Sequence, residues 1–235
     1  MNILLFTSFD KLGPNQIRVD DHRLAHLRRV LKIQVGEQLR VGEMNGKLGL
    51  GTVKKIGSRE AILSVELTEA PPEKLPLSLV LALPRPKMLR RLLRAVAEFG
   101  VEELHLINSY RVEKSYWQTP VLEELKQREY FIQGLEQARD TVLPKVSLHK
   151  RFKPFVEDQL PDLIANKRAL AAHPGDYPAC PRGISDNVLL VIGPEGGFIP
   201  YEIEKLQQAG CEIVSLGPRI LRVENAVSSL IGRLF

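Results

Sequence analysis

The sequence predicts an α/β protein in which a mostly parallel sheet, with helices on both faces, follows a small β-rich domain. From residue 77 onward, short apolar runs alternate with helical patterns, as is typical of parallel sheets. One run, at 188–192, is apolar throughout, as in a strand buried on both of its faces. Before residue 70, short alternating runs are separated by turns that contain glycine or asparagine, and these predict the β-rich domain.

The composition is that of an ordinary soluble globular protein, with 44% hydrophobic and 26% charged residues. No apolar run reaches the ~18 residues that a membrane-spanning helix needs, and the chain start lacks the basic flank of a signal peptide. Cys180 and Cys211 give neither a metal-binding spacing nor a disulfide framework. We therefore expect a cytoplasmic protein with no metal and no membrane partner. A net charge of +5 fits an RNA partner, as it fits many others.

Residues 1–70 are predicted to form a small β-barrel, because their alternating runs are joined by close turns. Within this domain, residues 20–32 have the pattern of one helix, with Leu24, Leu27 and Leu31 on a single face. The cations on another face fit either a surface that grips RNA phosphates or a merely solvated face. Residues 69–74, which include two prolines, are the predicted linker to a second domain at 74–235.

The second domain begins with a predicted buried strand at 77–83 and a helix at 88–99, which Gly100 ends. The start and outer face of this helix are strongly basic. Its cations are Arg85, Lys87, Arg90, Arg91 and Arg94. We expect a strand at 104–107, and the polar, aromatic loop after it fits a binding site for a base and its phosphates. Tyr116 and Trp117 either stack on a base or pack under the next helix, predicted at 120–140.

The remaining pattern predicts a helix at 155–166, strands at 169–172, 188–192 and 211–216, a helix from Pro200 and a last helix. Three of these strands end in a loop that contains glycine. The carboxyl ends of parallel strands are the usual place for a ligand in an α/β sheet. Glycines let the main chain approach that ligand closely, although tight turns alone would also explain them.

The segments IGPEGG (192–197) and LGPRILRVENA (216–226) resemble two signature loops of the RsmE family. This family comprises methyltransferases that use S-adenosyl-L-methionine (SAM) to modify N3 of one uridine in small-subunit ribosomal RNA. It belongs to the SPOUT class, whose C-terminal part forms a trefoil knot around the cofactor, and it carries a PUA-like RNA-binding barrel. The resemblance extends to HLRRVLK (26–32), AEFGV (97–101) and the glutamate–glutamine pair at 136–137. It implies a homodimer that binds 16S rRNA across both subunits.

The resemblance also implies which residues form the site. The predicted cofactor ligands are Ala172, His173, Ile192, Gly193, Pro194, Glu195, Gly196, Gly197, Leu216, Gly217, Ile220, Leu221, Arg222, Asn225 and Ala226. The RNA ligands are predicted from the basic helix faces, from the basic loop after 107 and, for His26, from the family motif. They are His26, Arg28, Arg29, Lys32, Arg85, Lys87, Arg111 and Lys114. Two of the histidines keep a second interpretation, since His26 fits a packing role equally well and His173 fits either a proton acceptor or a bystander.

Methylation at uridine N3 requires loss of a proton, so a base must accept it or positive charge must stabilise the anionic ring. Arg219 and Arg222 are the candidates for that charge. Glu224 is the candidate proton acceptor, or it orients the two arginines. The same three residues also fit an ion-paired start of the last helix.

The sequence departs from the family pattern in two places. The usual LRTETA is LRVENA here, so that Val223 and Asn225 replace threonines. The arginine that the family usually has three residues after Gln137 is Asp140, with Arg139 one residue earlier. Two alternatives to the rRNA methyltransferase stay open. One is a non-catalytic RNA-binding factor for ribosome assembly, and the other is the same methyl transfer on another RNA, such as a tRNA.

Overall fold

The computed structural model describes residues 2–235 and divides them between two compact units. The first unit contains the residues up to Glu73 together with Ile132–Leu143. The second contains Lys74–Phe131 and Pro144–Phe235. The segment 132–143 thus belongs to the first unit although it follows the predicted linker along the chain.

The first unit is built on a six-stranded sheet that is antiparallel except where β1 pairs with β4. Its strands are β1 (Leu4–Phe6), β2 (Lys11–Gly13), β3 (Gln16–Val19), β4 (Gln38–Glu43), β5 (Leu48–Ile56) and β6 (Ala61–Glu69), in the order β1-β4-β5-β6-β3-β2. Alternate residues of these strands, among them Phe6, Ile17 and Leu63, are fully buried in one core. The predicted β-rich first domain is confirmed.

The helix of this unit, α1 (His22–Arg29), is shorter than the sequence indicated. Asp21 caps its start by accepting a hydrogen bond from the Arg23 N–H at 2.9 Å. Leu24 and Leu27 are buried as expected, but Leu31 lies beyond the helix and is 43% exposed. The chain turns at Lys32, where φ is +51°, and Ile33 enters the core in place of Leu31. The prediction of one helix over 20–32 was therefore wrong in its last turn.

The second unit contains a six-stranded sheet in which every neighbouring pair is parallel. Its strands are β7 (Leu75–Ala82), β8 (Val101–Ile107), β9 (Lys145–His149), β10 (Arg168–Ala172), β11 (Val188–Ile192) and β12 (Glu212–Val214), in the order β12-β10-β11-β7-β8-β9. The predicted parallel sheet is confirmed, whereas β9 was missed. As an edge strand β9 is largely solvent-exposed, so it lacks the continuous apolar run that marks a buried parallel strand.

The helices start and end at residues whose backbone chemistry favours those points. They are α2 (Pro86–Glu98), α3 (Glu124–Ala138), α4 (Phe152–Pro154), α5 (Leu160–Ile164), α6 (Pro200–Gln208) and α7 (Val223–Leu234). Proline opens α2 and α6, and Gly100, with φ of +71°, follows the end of α2. The single helix predicted at 120–140 is instead a 3₁₀ turn (Pro120–Leu122) followed by α3.

The segment predicted as one helix at 155–166 is also not a single regular α-helix. A π-helical turn (Phe155–Gln159) separates α4 from α5. None of the helices among residues 2–235 combines the length and apolarity needed to cross a membrane. The trefoil knot implied by the family resemblance stays a prediction.

Candidate functional site

Three adjacent strands of the parallel sheet, β12, β10 and β11, direct their carboxyl-terminal loops to one edge. These loops enclose a cavity of about 430 Å³. Its lining comes from the loops themselves, from the loop after β8 and from the start of α7. The lining residues are Arg111, Ala172, His173, Pro174, Ile192, Gly193, Pro194, Glu195, Gly196, Gly197, Phe198, Ser215, Leu216, Gly217, Arg219, Ile220, Leu221, Val223, Ala226 and Leu230.

The structure thus brings together every predicted cofactor ligand except Arg222 and Asn225, which do not line the cavity. It also adds members that the sequence argument missed: Pro174, Phe198, Ser215, Val223 and Leu230. Val223 and Leu230 belong to α7, and only the folded helix shows that its buried face is also a cavity wall. Ser215 lay within the strand predicted at 211–216, and the sequence gave no sign that its Oγ accepts the Gly217 N–H at 3.1 Å.

The glycines after β11 are required by the packing of the loop. A Cβ on Gly193 would lie 3.1 Å from the ring of Phe198, which is itself buried. Gly197 has φ of +73° and donates its N–H to the Pro194 carbonyl at 2.8 Å, which closes a tight turn. A Cβ on Gly196 would come within 2.9 Å of Arg111 Cδ. The two interpretations of these glycines are therefore compatible, because the same tight turn forms the cavity wall.

Arg111, predicted as an RNA ligand, is the residue through which the loop after β8 joins the cavity. Its guanidinium donates a hydrogen bond to the Gly196 carbonyl, and its side chain lines the cavity. Nearby in this loop, the Trp117 indole N–H donates to Asn108 Oδ1 at 2.8 Å. The indole therefore anchors the loop, and Tyr110, 78% exposed, is its most open aromatic side chain.

Glu202, on the first turn of α6, holds this loop against the cofactor edge of the sheet. Its carboxylate is 2% exposed and accepts hydrogen bonds from the Tyr110 N–H at 2.8 Å and from Ser109 Oγ at 3.2 Å. It also caps its own helix by accepting the Ile199 N–H at 3.0 Å. Glu202 thus connects the loop after β8 to the start of α6.

We expect Glu202→Ala to lower the free energy of unfolding by about 2 kcal/mol, because it leaves buried donors without an acceptor. Urea denaturation followed by circular dichroism measures this difference. Glu204→Ala is the matched control, since Glu204 is exposed on the same helix and its side chain bonds only Gln208 among residues 2–235. Equal stability of the two variants would contradict a bridging role for Glu202.

His173 lies at the carboxyl end of β10 and faces the cavity. Its N–H donates to the Val214 carbonyl at 3.0 Å, and its ring meets Tyr177 edge-on with centroids 5.9 Å apart. Partial burial lowers the pKa of His173, and the positive charge of Arg111 lowers it further. The imidazole is therefore neutral at pH 7 and brings no positive charge to the cavity wall.

The three predicted catalytic residues lie where the loop after β12 enters α7. Arg219 lines the cavity, whereas Arg222 is the exposed N-cap residue of α7 and Glu224 stands in its first turn. Within residues 2–235 none of the three takes part in a salt bridge. The alternative of an ion-paired helix start therefore finds no support in the geometry.

The predicted RNA ligands fall in both units. In the first unit, His26 is half-buried on α1, and Arg28, Arg29 and Lys32 are exposed. In the second unit, Lys87 and Lys114 are exposed, and Arg85 Nε lies 3.4 Å from Glu195 Oε1 at the rim of the cavity.

Asp140, which stands where the family usually has an arginine, is buried and accepts hydrogen bonds from the N–H groups of Thr141 and Val142. Its carboxylate thus closes a turn.

A histidine pair lies apart from the cavity, on β8 and β9. His105 Nδ1 and His149 Nε2 are 3.2 Å apart, and the rings stack at 5.4 Å. Burial lowers the pKa of His105 to about 4, and the neighbouring His149 contributes to the shift. His105 Nε2 is buried without a hydrogen-bond partner in the described structure. A proton on this pair would therefore be costly in the folded state.

This depressed pKa predicts acid destabilisation. Between the unfolded pKa of about 6.5 and the folded pKa of about 4, the unfolded state binds more protons, so stability falls as pH falls. We expect the His105 contribution to drop by about 2 kcal/mol between pH 7 and pH 5. Urea unfolding across this range should show that loss in the wild type and in His22→Leu, whose side chain is 89% exposed. Only His105→Leu should lack it, and an unchanged pH profile in that variant would refute the assignment.

Comparison with known proteins connects this geometry to a family. A family model for the RNA methyltransferase domain matches residues 71–234, and one for the RNA methyltransferase PUA domain matches residues 19–66. A ribosomal RNA small subunit methyltransferase E of Treponema pallidum is 31% identical over 236 residues, which cover 96% of this chain and 87% of that protein. The chain belongs to the RsmE family. The predicted family resemblance is thereby confirmed.

Other known proteins match over similar lengths. The enzyme of Mycobacterium bovis is 27% identical and covers 91% of this chain, with 84% of its own length matched. The crystal structure of a Neisseria gonorrhoeae RsmE bound to S-adenosyl methionine is 19% identical and superposes with a TM-score of 0.76 over 97% of this chain and 95% of that one. A putative methyltransferase from Legionella pneumophila, solved in complex with SAM, is 22% identical with a TM-score of 0.74, over 98% and 95% of the two chains. Each of these two structures has the folds of both units.

Proposed function

We propose that this member of the RsmE family is a SAM-dependent methyltransferase that methylates N3 of a uridine in small-subunit (16S) ribosomal RNA. The observation that carries the proposal is the cavity at the carboxyl ends of β10, β11 and β12, walled by the two loops that resemble the family's signatures. Curated relatives of this chain are named as methyltransferases of ribosomal small-subunit RNA, and proteins that share its fold were crystallised with SAM.

The cavity fits SAM in size and chemistry. Its volume of about 430 Å³ falls within the ~300–1,000 Å³ usual for small-molecule sites. The backbone N–H groups of Gly196 and Leu216 donate no hydrogen bond inside the described chain, so both are available to a ligand that carries an adenine. His173 is neutral at pH 7, which suits a cofactor with a cationic centre. We assign the cofactor role to the predicted residues that line the cavity, with Arg222 and Asn225 at its margin.

The bound cofactor supplies a methyl group on a positively charged sulfur. The chain's own task is to hold a uridine in line with that group and to stabilise its deprotonated ring. Arg219 at the cavity wall and Arg222 at the start of α7 lie close together along the chain, and neither has an acidic partner in the described residues. Their charges are thus available to a developing anion. Glu224 is the carboxylate that we assign as proton acceptor or as the orienter of these arginines.

We further assign residues 1–70 as the RNA-binding barrel and residues 74–235 as the catalytic domain. The match of the PUA and methyltransferase family models to 19–66 and 71–234 supports this division. The predicted RNA ligands on α1 and around α2 would then hold the substrate, and the target base would leave its stack to reach the cavity. A homodimer in the cytoplasm, with the substrate bound across both subunits, completes the proposal and rests on the family resemblance.

The test is methyl transfer from labelled SAM to small ribosomal subunits that lack this modification, followed by mass identification of the nucleoside. Recovery of N3-methyluridine is the expected result. Incorporation into tRNA alone would support methyl transfer from SAM and contradict small-subunit rRNA as the substrate. If neither methyl transfer nor SAM binding occurs, the non-catalytic assembly factor becomes the better assignment.

A further inference from the structure

Helix α2 carries a row of cations, of which the proposed RNA site uses only the first, Lys87. Lys87, Arg90 and Arg91 are exposed, and Arg94 follows one turn later. These positions are three or four residues apart, so their side chains lie on one face of the helix. The opposite face, which includes Leu89, Leu92, Leu93, Val96 and Ala97, is buried. The cationic face is therefore fixed toward the outside of this unit.

This row is unfavourable for the helix by itself. Like charges at i,i+3 and i,i+4 repel, and here Lys87, Arg90 and Arg91 have no acidic residue at either spacing. None of the three forms a salt bridge with any residue that the structure describes. Other exposed cations of the same unit, such as Lys126 and Lys145, do have carboxylate partners. The chain's own carboxylates do not offset the repulsion between the cations of α2. A bound anionic ligand would offset it.

The row starts at the cofactor cavity. Arg85, the N-cap residue of α2, lies with its Nε 3.4 Å from Glu195, a residue of the cavity wall. From there to Arg94 the helix rises about 14 Å. The Arg94 guanidinium stands 5.0 Å from the centroid of the Tyr130 ring, a cation–π contact that limits its orientations. The cations thus form a track that leads away from the rim of the site.

We propose that the outer face of α2, through Lys87, Arg90 and Arg91, binds the phosphodiester backbone of the RNA whose base enters the cavity. This proposal rests on the proposed function and extends its substrate site to a surface beyond the cavity. Evenly spaced cations neutralise phosphates without reading sequence. No large apolar side chain of α2 is exposed in the described structure, so this face lacks what an apolar protein partner would bury.

The test compares the salt dependence of RNA binding in two double variants of the full-length chain. Arg90→Gln with Arg91→Gln removes two cations from the track and keeps residues that favour a helix. Lys150→Gln with Arg151→Gln removes two adjacent, exposed cations elsewhere in the same unit that form no ion pair within residues 2–235. The probe is a fluorescent transcript of small-subunit rRNA, titrated at salt concentrations from 50 to 200 mM.

For the α2 variant we expect the slope of log K against log salt to become shallower by about 1.5, since each phosphate contact contributes about 0.7 on a single strand and about 0.9 on a duplex. Across this range the wild type should then lose roughly tenfold more affinity than the variant. The Lys150/Arg151 control should keep the wild-type slope.

An unchanged slope in the α2 variant would overturn the proposal, as would an equal change in the control. A change in molar mass by sedimentation equilibrium, with the slope retained, would also overturn it and assign this face to contact between copies of the chain. SAM binding by calorimetry separates this proposal from the proposed function. If the wild type does not bind SAM, the assignment as a methyltransferase is refuted. Whether α2 binds RNA is decided by the salt slopes alone.

Discussion

Gly196→Val is expected to lower the affinity for SAM by roughly 100-fold or more, a loss of about 2.8 kcal/mol. Gly196 lines the cavity, and a Cβ there would lie 2.9 Å from Arg111 Cδ. The added side chain must displace Arg111 from its hydrogen bond with the Gly196 carbonyl and occupy space at the cavity wall. Both changes act where the backbone has to approach the cofactor closely.

Isothermal calorimetry with SAM measures this loss, and a thermal melt checks that the variant is folded. Gly13→Val is the matched control, because Gly13 lies in β2, has no positive φ and has no atom within 4 Å of an added Cβ. It should bind SAM like the wild type. A Gly196→Val protein with unchanged SAM affinity would remove the loop after β11 from the cofactor site.

The sequence was most informative where one local pattern determined the structure. Strand β11 spans the predicted residues 188–192, and α6 starts at the predicted Pro200, because a fully apolar run and an N-terminal proline each have few alternatives. Prediction failed where tertiary packing, and not the local pattern, determined which side chain is buried. Leu31 continues the helical spacing of α1, yet the chain turns at Lys32 and buries Ile33 instead.

The candidate site shows the same division. Its loops were predictable because glycines at the ends of parallel strands have a restricted set of uses. The roles of Glu202 and Arg111 were not, since each depends on a contact between segments more than 80 residues apart in sequence. Val223 illustrates the point at a family departure. The family pattern indicates only that Val223 replaces a threonine, whereas the structure shows a buried side chain that forms part of the cavity wall.

Arg222→Ala is expected to lower kcat by roughly 100- to 1,000-fold, the usual cost of removing one preorganised group that stabilises developing negative charge. The affinity for SAM should stay near the wild-type value, because Arg222 does not line the cavity. Arg222 has no salt-bridge partner in residues 2–235, so its removal leaves no carboxylate unpaired. Single-turnover methyl transfer to unmodified small subunits, with SAM binding measured in parallel, separates the two quantities.

Arg182→Ala is the matched control, since Arg182 is an exposed arginine of the same unit that lies outside the cavity lining. Its turnover should equal that of the wild type. Unchanged turnover in Arg222→Ala would assign the residue to the start of α7 alone. A loss of SAM affinity equal to the loss of kcat/KM would mean instead that Arg222 acts on the cofactor loop. Only a fall in kcat at constant SAM affinity fits charge stabilisation at the uridine, because an interaction made in the transition state alone changes the rate and not the binding of the ground state.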